Sequence, residues 1–250
     1  MTDWSDFLRD FHQRHPGITE DVLAHSHFTG RSPYQWLVEA TTPSARTLDL
    51  ACGSAPMAAE GRGRPWIGLD RSPSELSRAA RHPNTAYVVG TASHLPFTDA
   101  AFDVVVCSMA LMLLEPLEAC VREVERVLAP GGRLVALTPG GGSVLTLRDQ
   151  ARWARLLVRL RRARLTYPNR SAPSSLVERA SRGRWALLAD ERRRFAFEME
   201  RDGDALRLVD SLYLPGVDPR RLPRARALAR TWVGSDLGIP LRRVVMVRRG

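Results

Sequence analysis

Over the first forty residues apolar positions recur at helical spacing. Trp4, Phe7, Leu8 and Phe11 fall at i, i+3, i+4 and i+7 and share one face. Pro16-Gly17 ends that helix, a second short one follows Thr19, and a third runs from Pro33 through Trp36 and Leu37. His25-Ser-His-Phe-Thr-Gly-Arg31 reads as a polar loop between them. From residue 46 the rhythm changes to short, nearly continuous apolar runs: Arg46–Cys52, Trp66–Leu69 closed by Asp70, Ala86–Gly90, Phe102–Ser108 and Arg133–Thr138. Helical patterns alternate with them over Ser72–His82 and Leu114–Leu128, the latter stopped by Pro130-Gly-Gly132. This alternation predicts an α/β fold with a parallel sheet buried on both faces. Right-handed crossovers then gather the strands' C-terminal ends on one edge, where ligands bind.

Beyond Pro139-Gly-Gly-Gly142 the texture changes again. Trp153, Leu156, Leu157 and Leu160 form an apolar stripe on a helix whose other side carries Arg152, Arg155, Arg159 and Arg162. A Pro/Ser-rich patch, Tyr167–Ser175, separates it from a short helix. Arg193–Met199 alternates like a strand, helical stretches lie near 204–214 and 219–233, and Leu241–Arg248 is a terminal strand. The expected organisation is an N-terminal helical cap over 1–42, a sheet core over 43–140, and an Arg-rich helical cover with the last strands over 141–250.

At 250 residues and 44% hydrophobic, the chain can bury one sizeable core, and 26% charged residues exclude wholesale disorder. No apolar run approaches transmembrane length. The N-terminus lacks the basic and apolar regions of a signal peptide, and Cys52, Cys107 and Cys120 are odd in number and scattered. No disulfide framework, metal site or membrane association is expected, and a cytoplasmic setting fits. All 37 basic residues are arginine, a pattern of GC-rich coding as in actinobacteria. Their distribution changes the picture more than their number. Residues 1–125 hold 10 Arg against 16 acidic residues, and residues 126–250 hold 27 against 11, so the halves differ in task.

The most informative segment is Thr47-Leu-Asp-Leu-Ala-Cys-Gly-Ser-Ala55, a strand ending in small residues that let a ligand approach the backbone. Asp70 follows Gly53 by 17 residues, at the end of the next strand, where a carboxylate can accept from ribose hydroxyls. Gly90-Thr-Ala-Ser-His-Leu-Pro-Phe97, Phe102-Asp-Val-Val-Val-Cys-Ser108 and Leu128-Ala-Pro-Gly-Gly-Arg-Leu-Val135 then occur in order. Together these motifs resemble the class I S-adenosylmethionine (SAM)-dependent methyltransferases, in particular the small-molecule, UbiE-like branch. The resemblance covers residues 25–138 well and is vague beyond 140.

It implies a Rossmann-like seven-stranded sheet with helices on both faces and an antiparallel last strand, and SAM as cofactor, leaving S-adenosylhomocysteine (SAH). It places Ala51, Gly53 and Ala55, with Cys52 and Ser54 between them, beneath the methionyl and ribose parts. Asp49 would hold the loop and the amino end, and Asp70 the ribose. Arg71, Ser72, Thr91 and Ala92 would border the adenine. Cys107 and Ser108 would face the sulfonium, and Arg31 is either a carboxylate ligand or a surface ion-pair former. Two of the three glycine positions carry alanine, and Thr91 stands where Asp is usual.

The acceptor is constrained mainly by absences. No Asn/Asp-Pro-Pro-Tyr, Pro-Cys nucleophile or magnesium-binding carboxylate cluster follows the fourth strand. Met109 and Met112 suit an apolar small molecule, with Tyr34 and Tyr213 as further contacts. His25 and His27 are candidate bases for O-methylation, or solvated loop histidines. The arginines around 148–164 fit a solvated helix face, an anionic small acceptor, or RNA, for which no recognised module is present. The implied activity is SAM-dependent methylation of a small molecule, as in bacterial specialised metabolism. The alternative is a fold member that binds SAM or SAH without methyl transfer.

Overall fold

A computed structural model describes residues 3–43, 45–61, 66–79, 85–180 and 183–249. Three helices open the chain: α1 (Trp4–Arg14), α2 (Ile18–Ala24) and α3 (Pro33–Val38), with the two-residue strand β1 (Ser26–His27) before α3. There follow β2 (Thr47–Leu50), α4 (Pro56–Glu60), β3 (Trp66–Asp70), α5 (Pro73–Ala79), β4 (Ala86–Val89), β5 (Phe102–Ser108), α6 (Leu117–Val127) and β6 (Leu128–Pro139). The last part is α7 (Leu147–Leu160), α8 (Ala172–Ala180), β7 (Trp185–Met199), α9 (Asp202–Asp210), α10 (Leu222–Arg230) and β8 (Ser235–Arg248). The predicted end of the fifth helix, at His82, lies outside the described residues.

One eight-stranded sheet runs in the order β1-β7-β8-β6-β5-β2-β3-β4. The five strands from β6 to β4 are parallel, and β8 is antiparallel to both of its neighbours. The expected architecture is therefore present, with one strand more than the seven expected. Ser26 and His27, read as loop, pair with Phe197 and Ala196 at the edge of β7. So short a strand carries no periodicity of its own.

Alternation along the strands sends their side chains into two cores. Val104 and Val106 of β5 and Val135 and Leu137 of β6 pack on one face with Trp36 and Leu37. Val105 and Cys107 pack on the other with Val121 and Val124 of α6. Trp36, Phe195 and Leu137 are fully buried, and each contributes roughly 1.5–3 kcal/mol by leaving water.

The β7–β8 ladder is far longer than its apolar segments, reaching from Trp185–Arg248 to Met199–Ser235. Charges that interrupt the hydrophobic pattern pair across it. Arg242 meets Asp190 at 2.7 Å, and Arg243 meets Glu191. Arg194 meets both Asp149, at 2.7 Å, and Asp236. Asp149 also forms a capping box with Thr146 and accepts from Gly238 N at 2.7 Å. Burial alone would raise its pKa, but the bonds from Arg194, Thr146 and Gly238 hold the carboxyl well below its usual range. Helix α7 is thus fastened to the ladder. Leu156 and Leu160 pack with Leu208, Leu228 and Leu237, so this part of the stripe rests on α9, α10 and β8. Among the described residues no helix is long and apolar enough to cross a membrane.

Candidate functional site

The loop leaving β2 turns sharply at three places. Ala51, Gly53 and Ala55 have φ of 54°, 54° and 55°, the left-handed region that favours glycine. The turn is tied to β3: Cys52 N donates to Leu69 O at 3.0 Å, and Gly53 N to Asp70 Oδ2 at 2.9 Å. Asp70 Oδ1 accepts from Ser72 N at 2.8 Å. Asp70 therefore clamps two loops and keeps further lone pairs, because a carboxylate offers about four acceptor sites. Cys52 packs against Gly68, where a Cβ would come within 2.9 Å of its sulfur.

Above this loop lies a cavity of about 610 Å³, reaching from Thr91 and Ala92 past Asp70 and Gly53 to Ser108 and Met109. Five acidic residues, Glu20, Asp49, Asp70, Glu75 and Glu115, line it together with Arg9, Arg71 and His12. Asp49 Oδ1, Glu20 Oε2 and Glu75 Oε2 are sealed from solvent and have no hydrogen-bond partner. Glu20 Oε1 stands so close over Gly53 that any Cβ there would collide with it. Burial, reinforced by the charges of Asp70 and Glu20, pushes the Asp49 carboxyl up to about 8. Burial and the neighbouring Glu75 push Glu20 up to about 7. Asp70 is also raised by burial, against the pull of its bonds from Ser72 and Gly53.

His12 joins this group from α1. Its Nδ1 is 2.7 Å from Glu75 Oε1, and its Nε2 is 3.4 Å from Tyr213 Oη. Burial works against the imidazolium, but Glu75, with Glu20 and Asp70, lifts its pKa above 6.5. A second cavity of about 490 Å³ adjoins the first. Thr19, Leu23, Met109 and Tyr213 line both. Met109, with φ 54°, holds the turn after β5 in the left-handed region.

Of the residues singled out from sequence, Tyr34, Asp49, Ala51, Cys52, Gly53, Asp70, Arg71, Ser72, Thr91, Ala92, Ser108, Met109 and Tyr213 border the first cavity. Met112 borders only the second. For Arg31, His25 and His27 the structure agrees with the second of the alternatives left open by the sequence, and for Cys107 the expectation is corrected. Arg31 is exposed and pairs with Glu39. His25 is exposed and its Nδ1 lies 2.7 Å from Asp21 O. His27 is exposed on the sheet edge, so neither histidine reaches a cavity. Cys107 is fully buried on the α6 side, because alternation along β5 turns it away from the site; burial raises its thiol to about 12. Ser54 is buried without bordering the cavity. Glu20, Glu75 and His12 escaped the sequence reading. They sit on helices where only the apolar spacing was informative, and Glu75 reads as an ordinary first-turn acid.

Residues 48–136 match the family described as a methyltransferase domain. The chain is 38% identical over 96 residues to a demethylmenaquinone methyltransferase of Beutenbergia cavernae, a match covering 37% of this chain and 40% of that protein. It is 36% identical over 135 residues to a malonyl-[acyl-carrier protein] O-methyltransferase of Alcanivorax borkumensis, covering 51% of this chain and 45% of the relative. The chain thus spans less than half the length of these relatives. Among solved structures, the [4+2]-cyclase SpnF superposes with a TM-score of 0.60 at 17% identity, covering 97% of this chain and 94% of the other. At that identity the likeness shows the fold alone. The motif loop, the sheet order and the matched segment converge: residues 48–136 are a methyltransferase domain, set in a fold like that of the class I S-adenosylmethionine-dependent methyltransferases.

Proposed function

We propose that this protein binds SAM in the acidic cavity and transfers its methyl group to a small molecule held in the adjoining one. The observation that carries the reading is a cavity walled by Asp49, Glu20, Glu75 and Asp70, the first three of which each keep a carboxyl oxygen without a partner. Unpaired buried acceptors are costly unless something satisfies them. The methionyl end of SAM supplies an ammonium and a sulfonium, so the residues present fit it. Asp70 would take the ribose hydroxyls on its free lone pairs, and Thr91 and Ala92 the adenine edge. The division into a cap over 1–42, a SAM-binding core over 43–140 and a cover over 141–250 follows from these roles.

When bound, SAM supplies a methyl carbon already activated toward displacement. The chain's own part is to align an acceptor and exclude water. Ser108, Met109 and Leu113 border the cofactor cavity on that side. An acceptor carrying a hydroxyl must also lose a proton. Tyr213 lies on the shared wall, and its hydroxyl meets His12, whose other nitrogen is held by Glu75. We assign His12 as the proton acceptor, reached through Tyr213, in place of the exposed His25 and His27. Arg31 retains its surface ion pair, and no metal is invoked.

Calorimetry with SAH tests the cofactor assignment. Asp70→Ala is expected to weaken binding by about 1–3 kcal/mol in a folded protein. Undiminished affinity removes Asp70 from the site. Transfer of labelled methyl from SAM to a panel of small phenols and carboxylates then separates an enzyme from a protein that only binds SAM or SAH.

A further inference from the structure

We infer that the second cavity takes an acceptor with an apolar body and an anionic group, the anion held at the mouth by Arg164 and Arg170. The inference rests on the proposed methyl transfer and names the class of molecule it acts on. The two adjoining cavities are sorted by charge. The first is lined by five acidic residues, with Arg9, Arg71 and His12 among them. Among the described residues no Asp or Glu lines the second, and its only charged members are Arg164 and Arg170.

Several other arginines near these two hold the structure together. Arg152 donates to Asp236 O at 2.6 Å and to Ser235 Oγ at 2.9 Å, Arg162 donates to Pro215 O, and Arg194 and Arg242 hold the ladder charges. Arg164 and Arg170 have no acidic or carbonyl partner among the described residues, and both are exposed. Arg148, Arg155, Arg159 and Arg161, likewise without a side-chain hydrogen bond or ion pair among the described residues, border neither cavity, so Arg164 and Arg170 are set apart by lining the second one.

The body of the cavity is apolar. Trp153, Leu157, Leu165, Leu212 and Ile239 supply its walls, and the Gly140–Gly142 turn leaves room beside them. Its inner wall is the one shared with the cofactor cavity, where Met109 and Tyr213 stand. A molecule filling it therefore has its charge in the exposed arginine mouth and its reacting end against Tyr213. Guanidinium groups suit carboxylate, sulfonate or phosphate alike through paired N–H donors.

Two probes of one skeleton test this: 8-anilinonaphthalene-1-sulfonate and its uncharged parent, N-phenyl-1-naphthylamine. Each is titrated into the folded full-length chain and followed by fluorescence. The sulfonate is expected to bind about tenfold more tightly than the parent. Arg164→Gln/Arg170→Gln should abolish that difference and leave the parent's affinity unchanged. Leu157→Trp, which fills the cavity, should weaken both probes. Equal affinities in the unaltered protein, or a sulfonate preference that survives the double substitution, overturns the inference. SAH affinity and the melting temperature, measured on every variant, separate this outcome from failure of the cofactor reading. Loss of sulfonate preference with SAH binding intact is the expected pattern, whereas absent SAH binding in the unaltered protein strikes the methyl-transfer reading and leaves the probe result to stand alone.

Discussion

Two alanines stand where left-handed backbone asks for glycine, and the structure separates their energetics. Ala51 has φ 54° and Ala55 φ 55°. A Cβ in that region costs roughly 1–2 kcal/mol. Replacing alanine by glycine returns about 0.4–1 kcal/mol of this through the freer unfolded chain. A methyl leaving a buried site costs a further ~0.8 kcal/mol. Ala55 is 1% exposed and pays that cost in full. Ala51 is half-buried on the cavity wall and loses less. Ala51→Gly should therefore stabilise the free protein by about 0.5–1 kcal/mol, while Ala55→Gly comes out near zero. Urea unfolding of both variants beside the unaltered protein resolves the difference. A midpoint for Ala51→Gly that falls by the equivalent of about 1 kcal/mol would refute the strain argument. So would equal effects from the two substitutions, because burial is the only term that distinguishes them.

Three further outcomes follow from the acidic cavity. Asp49 and Glu20 have folded-state pKa values of about 8 and about 7, above their unfolded values, so the folded state holds extra protons and stability falls as pH rises from the ordinary carboxylate range toward 8. Asp49→Asn should accordingly raise the melting temperature at pH 8 by about 2–4 °C or more and weaken SAH binding; a melting temperature unchanged at both pH 5 and pH 8 is the contrary result. A cationic ligand stabilises the carboxylates, so SAM binding near pH 7 should release protons, visible as a binding enthalpy that depends on the buffer's ionisation enthalpy. If His12 accepts the acceptor's proton, kcat should rise with pH through a midpoint above 6.5, and Tyr213→Phe should lower kcat without changing SAH affinity; a pH-independent kcat in the unaltered enzyme removes His12 from the reaction.

The parallel strands were legible because each is a short apolar run between helical segments, and the cofactor loop because its residues occur in a fixed order. The long β7–β8 hairpin was only partly legible. Glu191, Arg192 and Arg193 break its apolar pattern, and only the register shows Glu191 answered by Arg243 across the strands. The site divided along the same line. Asp49 and Asp70 lie on strands β2 and β3 and could be placed from sequence. Glu20, His12 and Glu75 come together from α2, α1 and α5, and no local pattern announces that meeting. His25 and His27 suggest themselves by the chemistry of imidazole alone, whereas His25 caps α2 in solvent and the two-residue strand sets His27 on the outer edge of the sheet.

The sheet order also bears on how such a protein diversifies. The matched methyltransferase segment ends at residue 136, and the second cavity's walls resume at Thr138 and continue to Leu241. On the proposed assignment, cofactor and acceptor walls are written largely in separate stretches of the gene, joined through β6. Recombination or insertion after β6 can exchange the acceptor walls while the SAM loop stays intact. A chimera carrying residues 138–241 on a relative's first half should inherit this chain's acceptor preference, provided Thr19, Leu23, Met109 and Met112 travel with it.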